Sequence, residues 1–448
     1  MSSSIASKIQ KLKPLISQQT PKLNQKVSQP VLRPKQMLLR DFIHDRLYGE
    51  PGGYFTKDAH QVGRLREPIK FSKLRGYYDY RQEMERLYPD NQWVTPCELF
   101  KPFYGYTVAN YMLNQMEENN QKKLRIVEIG PGTGTMADSI LDFFKNYNLD
   151  LYRNCEYVFI EISPQLAETC EKFMKEKHRQ LYDHNKIKIF NGSILEFQKS
   201  IPRGEMCFVI ALEVLDNMPH DRFYFDSKTE KLVEQAIIAV DKDDQGNEVL
   251  TEEKKKIDEV NDEFSRLFVD LFHSMPSKDH ISANQILKTE GFFKRLQDAL
   301  RTAKYQDKLT QNIFGPTQAL KMIQHINQYI PDHCLIMADF DSFLMPSNSI
   351  KGISAPLVTN KLKDPTQWQT YDTYLVPRGE ADICFPVDFF FLKHAYQKLT
   401  GLTADVYKTQ DFVEQFSLAS WCQTVNGFNP LKEEYFNTSF LVTDRTKK

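Results

Sequence analysis

The chain has 448 residues, 58 of them basic and 59 acidic, so no global field of one sign points to nucleic acid or an anionic membrane as a partner. The seven cysteines (Cys97, Cys155, Cys170, Cys207, Cys334, Cys384 and Cys422) form no Cys-x-x-Cys pair; the reading is free thiols in a reducing compartment and no metal site. No apolar run reaches membrane-spanning length, and the richest, Ile383 to Leu392, is short and contains Asp388.

Residues 1–36 hold no Asp or Glu but carry Lys8, Lys11, Lys13, Lys22, Lys26, Arg33 and Lys35 among serines and prolines. Such a basic, acid-free leader fits a mitochondrial transit peptide, or else a solvated disordered tail. Residues 37–120 read as a helical region. Leu38, Leu39, Phe42, Ile43 and Leu47 share one helical face, and Glu50-Pro-Gly-Gly53 supplies turn residues to stop it. A second helix is expected from Tyr77 to Tyr88. A third is expected from Glu98 to Met116, with the aromatic cluster Phe100, Phe103, Tyr104, Tyr106 and Tyr111.

The stretch Arg125-Ile-Val-Glu-Ile-Gly-Pro-Gly-Thr-Gly-Thr-Met136 is a short apolar run, three glycines and the start of an amphipathic segment. That is a buried parallel strand, a tight turn and a helix, the ligand-binding opening of a doubly wound sheet. Glu128 argues about the ligand. A pyrophosphate on the helix N-terminus would be repelled by it, whereas a cofactor with a cationic amino-acid head would be attracted. Thr135 also stands where the dinucleotide pattern G-x-G-x-x-G needs glycine or alanine. The pattern Glu-x-Gly-x-Gly-x-Gly resembles the first motif of S-adenosylmethionine-dependent methyltransferases; on these residues alone another nucleotide or a structural turn stays open.

Further strands are expected at Glu156–Ile162, Lys186–Phe190, Met206–Leu212 and His333–Met337, alternating with helices. Ligands of such sheets sit beyond the carboxyl ends of the strands, so the polar residues there form the candidate site. Gly130, Gly132 and Gly134 would admit the cofactor's amino-acid part and Glu128 would orient its ammonium. Glu161 would accept the ribose hydroxyls, and Ser193 would meet the adenine edge. After the fourth strand, Glu213-Val-Leu-Asp-Asn-Met-Pro-His220 supplies Glu213, Asp216 and His220 as catalytic candidates. Paired carboxylates suit the five-donor fork of a guanidinium; a helix cap is the plainer reading of Asp216. Residues 121–240 then form a cofactor-binding half and 331–448 the rest of the sheet. Residues 241–330 form a large insertion, read as a helical cap over the catalytic edge from the spacing of Ile257, Val260, Phe264, Leu267, Phe268 and Leu271 behind Glu252-Glu-Lys-Lys-Lys256.

With these motifs placed, the chain resembles the MidA-like family of mitochondrial protein-arginine methyltransferases. The resemblance is carried by Thr95-Pro-Cys-Glu98, Val127–Thr135, Phe159-Ile-Glu-Ile-Ser163, Glu213–His220, Ala338-Asp-Phe340, and Asp382 followed by Val387-Asp388-Phe389. It implies a class I, Rossmann-like α/β methyltransferase fold with S-adenosylmethionine as donor. It also implies, as acceptor, an arginine in a core matrix-arm subunit of respiratory complex I, with the enzyme in the mitochondrial matrix. A non-catalytic methyltransferase-fold binding protein and a small-molecule methyltransferase are the alternatives. The segment after Thr95 lacks the Phe-Gly-Glu usual in the family, which predicts a missing carboxylate near the cofactor.

Overall fold

The computed structural model describes residues 35–57, 63–88, 94–276, 311–346, 349–361, 368–418 and 420–445. The leader 1–34 lies outside the described residues. So does 277–310, which falls within the expected insertion 241–330.

Seven strands form the central sheet: β1 (Arg125–Ile129), β2 (Glu156–Glu161), β3 (Ile187–Asn191), β4 (Cys207–Leu212), β5 (His333–Phe340), β6 (Ala404–Lys408) and β7 (Thr438–Thr443). Their order across the sheet is 3-2-1-4-5-7-6. β1 to β5 are parallel, and β7 runs antiparallel to both of its neighbours. The parallel strands are apolar because both faces are covered. In β4, Phe208, Ile210 and Leu212 enter the core beneath helices Phe103–Glu118 and Thr135–Tyr147. Cys207, Val209 and Ala211 face the opposite core with helices Thr317–Tyr329 and Phe389–Thr400. Strand order reverses between β1 and β4, the switch point at which such sheets bind ligands. Register aligns the exits: Ile129 pairs with both Ile160 and Ala211, so Gly130, Glu161 and Leu212 leave the sheet side by side.

The expected α/β sheet is present, with boundaries within a few residues of the sequence reading. The helix expected from Glu98 to Met116 is instead two, Pro96–Leu99 and Phe103–Glu118, interrupted at Pro102, which has no N–H to donate. The insertion after β4 is not simply helical. Asp221–Phe225, Leu232–Lys242, Glu248–Lys256 and Asn312–Gly315 build an antiparallel sheet, and the boundary placed after residue 240 falls inside one of its strands. The charged run Glu252–Lys256 is strand, paired from Ile238↔Glu252 to Glu234↔Lys256. The helical spacing read behind it belongs to Ile257–Val260 and Glu263–Ser274, separated at Asn261, which has φ of 55°.

Helix Leu39–Tyr48 packs on this antiparallel sheet through Leu39, Phe42, Ile43 and Leu47, against Tyr224, Ala236, Ile238 and Phe314. Its buried Arg40 donates to Asp221 at 2.5 Å and pairs with Asp262, fastening the helix to the insertion.

Candidate functional site

The β1 turn owes its shape to glycine. Gly130, Gly132 and Gly134 have φ of 66°, 54° and 85°, and a Cβ on Gly130 would stand 2.7 Å from Val214 Cγ2. The turn is held by Glu161 at the end of β2. One oxygen accepts from the Gly132 amide at 3.2 Å and the other from the Ser163 amide at 2.9 Å. Burial pushes the Glu161 carboxyl up to about 7 despite those two donors.

At the switch point these residues border an open crevice. Gly130, Gly132, Glu161, Ser193 and Glu213 line it together, as the sequence suggested, beside apolar walls from Ile129, Ile160, Ile194 and Leu195. From the expected insertion 241–330, Gln318 and Met322 of helix Thr317–Tyr329 line it, whereas the helical stretch read over Ile257–Leu271 does not. His44 and Tyr48 of helix Leu39–Tyr48, with Phe55 just after it, cover the remaining side. The donor set fits an adenosyl amino acid: apolar faces for a base, a carboxylate for vicinal hydroxyls, and glycine backbone for a charged amino-acid end.

Four further carboxylates gather at one edge. Glu213 has φ of 55°, a left-handed conformation that is strained for a non-glycine residue. Its Oε1 meets the Cys97 thiol at 3.6 Å. Burial and the nearby Asp339 raise its carboxyl to about 8. Asp339, at the end of β5, accepts from the amides of Leu215 at 2.8 Å, Asp216 at 3.1 Å and Phe340 at 2.7 Å; burial lifts it to about 7. Asp382 accepts from Asn217 Nδ2 at 2.8 Å and is raised by burial to about 6. Asp216 lies among these groups, held well above its ordinary range by burial and by Asp339, Asp382 and Glu213. Its Oδ1 is buried with no hydrogen-bond partner among the described residues. No helix follows β4 directly, so Asp216 is not a helix cap. Among the described residues none of the four carboxylates forms an ion pair. Such a set is complementary to a cation.

Several expected site residues stand elsewhere. Glu128 alternates away from Ile129 onto the opposite face of β1, where it accepts from the Tyr157 hydroxyl at 2.7 Å, and it does not line the crevice. Burial raises it to about 7. Gly134 caps helix Thr135–Tyr147 and touches no part of the crevice wall. His220 is buried, donates Nδ1–H to the Met218 carbonyl at 2.7 Å and stacks on Phe385 with centroids 4.0 Å apart. Burial lowers it to about 3, and it borders a separate apolar cavity with Phe268 and Phe391. It therefore stays neutral and, although Met218 and Pro219 line the crevice, does not itself line it. Glu98 of the Thr95-Pro-Cys-Glu98 motif is buried outside the crevice lining, where it accepts from Thr135 Oγ1 at 2.6 Å and the Leu65 amide at 2.9 Å and pairs with Lys101. Asp382 was seen in the sequence only as a motif position. Its approach to Asp216 joins segments far apart in the chain, which no local pattern reports.

Known proteins agree with this geometry. The mitochondrial protein arginine methyltransferase NDUFAF7 homologue of Schizosaccharomyces pombe is 21% identical over 348 residues, covering 74% of this chain and 68% of that protein. The Xenopus laevis mitochondrial protein arginine methyltransferase NDUFAF7 is 20% identical over 348 residues, 74% of this chain and 65% of its own length. This chain thus spans about two thirds of each of these relatives. Among solved structures, a Burkholderia thailandensis methyl transferase candidate bound to S-adenosyl-homocysteine superposes with a TM-score of 0.54 at 14% identity, covering 92% of this chain and 89% of that one. That likeness establishes the methyltransferase fold. Residues 107–408 match the model of a family described as "Putative S-adenosyl-L-methionine-dependent methyltransferase", and with two thirds of its length in that match the chain belongs to this S-adenosylmethionine-dependent family.

Proposed function

We propose that this protein transfers a methyl group from S-adenosylmethionine to an arginine of another protein, in the mitochondrial matrix, in support of respiratory complex I assembly. The observation that carries the reading is the buried set Glu213, Asp216, Asp339 and Asp382, four carboxylates with no ion pair among the described residues, of which Glu213 lines the crevice. A guanidinium answers both their charge and their acceptor geometry. The names of the relatives, mitochondrial protein arginine methyltransferases, support the same acceptor and compartment. The basic leader agrees with that compartment.

Within the site, the Gly130–Gly132 backbone would receive the amino-acid end of the cofactor, Glu161 the ribose and Ser193 the adenine edge. Glu128, behind the turn, would act through its field and not by contact. S-adenosylmethionine, when bound, supplies a methyl carbon activated by a sulfonium. The chain's own residues orient the acceptor nitrogen, exclude water and stabilise positive charge as the nitrogen is alkylated.

The test incubates the purified protein and a mitochondrial matrix extract with methyl-labelled S-adenosylmethionine, then locates the label by mass spectrometry. Label on arginine of a complex I subunit, absent with Glu213→Gln, is the expected result. Cofactor binding without any transfer would favour the non-catalytic binding protein, and label confined to small molecules would favour the third alternative.

A further inference from the structure

Two helices from outside the β1–β3 half of the sheet bring polar side chains to the crevice: Leu39–Tyr48 with His44 and Tyr48, and Thr317–Tyr329 with Gln318. Other polar side chains of the wall are already engaged. Glu161 accepts two backbone amides, Tyr48 donates to the Asn217 carbonyl at 3.2 Å, and Asn217 Nδ2 donates to Asp382 at 2.8 Å. Ser193 is bound into its own turn. Its oxygen accepts from the Leu195 amide at 3.2 Å and its amide donates to Glu196 at 3.0 Å, which leaves the hydroxyl proton for a ring nitrogen. The Gln318 carboxamide is half-buried and makes no hydrogen bond among the described residues. We propose that Gln318 reads the adenine edge of the methyl donor, its Oε1 accepting from the 6-amino group and its Nε2 donating to the neighbouring ring nitrogen. This rests on the S-adenosylmethionine assignment and not on the arginine reading, and it adds the residue that sets base specificity.

The placement follows from the ribose. Asn191 pairs with Glu161 across β3 and β2, so Gly192, Ser193, Ile194 and Leu195 leave the sheet beside the ribose carboxylate, where the attached base meets them. Helix Thr317–Tyr329 packs on the same segment. Ala319, Met322 and Ile323 share an apolar core with Ile194 and Phe197, and His325 Nε2 donates to the Phe197 carbonyl at 2.7 Å. Gln318 and Met322 stand one turn apart on one face of that helix, and both line the crevice. Met322, Ile194 and Leu195 offer apolar contact to a purine face, and Gln318 offers the polar contact to its edge.

The residue type suits the task. Adenine presents N6–H beside a ring nitrogen, a donor next to an acceptor. A carboxamide answers that pair with two parallel hydrogen bonds, whereas a carboxylate has no donor. His44 is exposed and stands against Tyr48 with ring centroids 5.4 Å apart. The two nitrogens of an imidazole point apart, so one ring cannot meet both atoms of one base edge. Gln318 is also fixed from behind. Thr317 Oγ1 donates to Asp221 at 2.6 Å, and Arg40 of helix Leu39–Tyr48 pairs with the same carboxylate. The two helices that close the crevice are joined at that buried group. The strand Asn312–Gly315, which leads into Gln318, is itself hydrogen-bonded to Asp221–Phe225. The insertion after β4 thereby has a task, since its returning helix holds the base.

The test measures, by calorimetry on the full-length protein, the affinity for S-adenosylhomocysteine and for its 6-deamino analogue, a purine with hydrogen in place of the amine. Wild type should prefer the amine by about tenfold. Gln318→Leu, close in size and without the amide, should bind S-adenosylhomocysteine about thirtyfold more weakly and the analogue about threefold more weakly, so that the preference disappears. Gln318→Glu retains an acceptor and should retain the preference. Should Gln318→Leu not fold, Gln318→Met serves with the same expected result. Weakening of both ligands by one factor in Gln318→Leu overturns the assignment, because the substitution then acts on the shape of the site and not on the base edge. Unchanged affinities in that variant, loss of the preference in Gln318→Glu, or a wild type indifferent to the amine overturn it equally. None of these measurements involves methyl transfer, so their failure leaves the arginine reading standing. A wild type that binds neither ligand overturns the base pocket together with the cofactor assignment.

Discussion

Glu161 serves the backbone and a ligand with the same two oxygens. It accepts the Gly132 and Ser163 amides, and its outer lone pairs face the crevice where a ribose would lie. S-adenosylmethionine and S-adenosylhomocysteine carry the same ribose and differ in sulfonium charge. Glu161→Ala is therefore expected to weaken both by a similar factor, about tenfold to a hundredfold by isothermal titration, as loss of charged hydrogen bonds predicts. Selective loss of the sulfonium ligand would instead make Glu161 a long-range electrostatic group. A second prediction concerns protons. Glu128, Glu161 and Asp339 sit at about 7, Glu213 at about 8 and Asp382 at about 6, all raised by burial above their unfolded values. The native state thus binds more protons than the unfolded chain between about pH 4 and pH 8, so these groups lower stability as pH rises through that window. The apo protein's melting temperature should fall from pH 5 to pH 8. Binding of the sulfonium cofactor near neutrality should release protons, and more than S-adenosylhomocysteine does. Calorimetry in buffers of different ionisation enthalpy measures that release, and a flat melting profile with no proton release would contradict the raised carboxylates.

At the scale of elements, the anchoring of helix Leu39–Tyr48 decides whether the crevice has its outer wall. Arg40 is buried between Asp221 and Asp262, and Thr317 Oγ1 donates to the same Asp221 carboxylate at 2.6 Å. Arg40→Met should cost about 3–5 kcal/mol in chemical denaturation, because Asp221 is left charged and fully buried without its cation. A loss below 1 kcal/mol would show that the helix is held by its apolar face alone. The elements also show what the sequence could and could not reveal. β1 to β5 were legible because strands buried on both faces read as unbroken apolar runs. The hairpin Leu232–Lys256 was not. Its outer strand, Glu248–Lys256, is largely exposed and charged at consecutive positions, so it has no period-two pattern and resembles the surface of a helix. Gly130, Gly132, Glu161, Ser193 and Glu213 could be placed because each follows a strand end. The burial of Glu128 on the face away from the crevice was hidden because strand parity relative to the crevice depends on which face the turn leaves. The neighbourhood of Asp216, Asp339 and Asp382 was hidden because only tertiary packing brings those segments together.

For the molecule as a whole, the described residues that line the crevice all lie at His44 or later in the chain. Residues 1–34 hold no acidic residue and few apolar ones to bury, whereas Lys35–Leu38 is a strand beside Leu232–Lys242, so a chain starting at Lys35 should keep the full-length melting temperature. It should also fail to enter mitochondria in an import assay. A large drop in melting temperature, or unimpaired import, would contradict the leader reading.

The helix Leu39–Tyr48, which supplies His44 and Tyr48 to the crevice, also governs when the protein can begin to work. These residues are made early, yet the glycine turn, Glu161 and Glu213 that they close over come more than a hundred residues later in part, and β7, which completes the sheet beside β5, lies almost at the end of the chain. A nascent or threading polypeptide, led by its N-terminus, emerges with a wall and no room behind it. Contacts of such sequence separation form late, since loop closure must precede their reward. The crevice is thus complete only once residues through Met322, the last of its lining, have been made and folded against that helix.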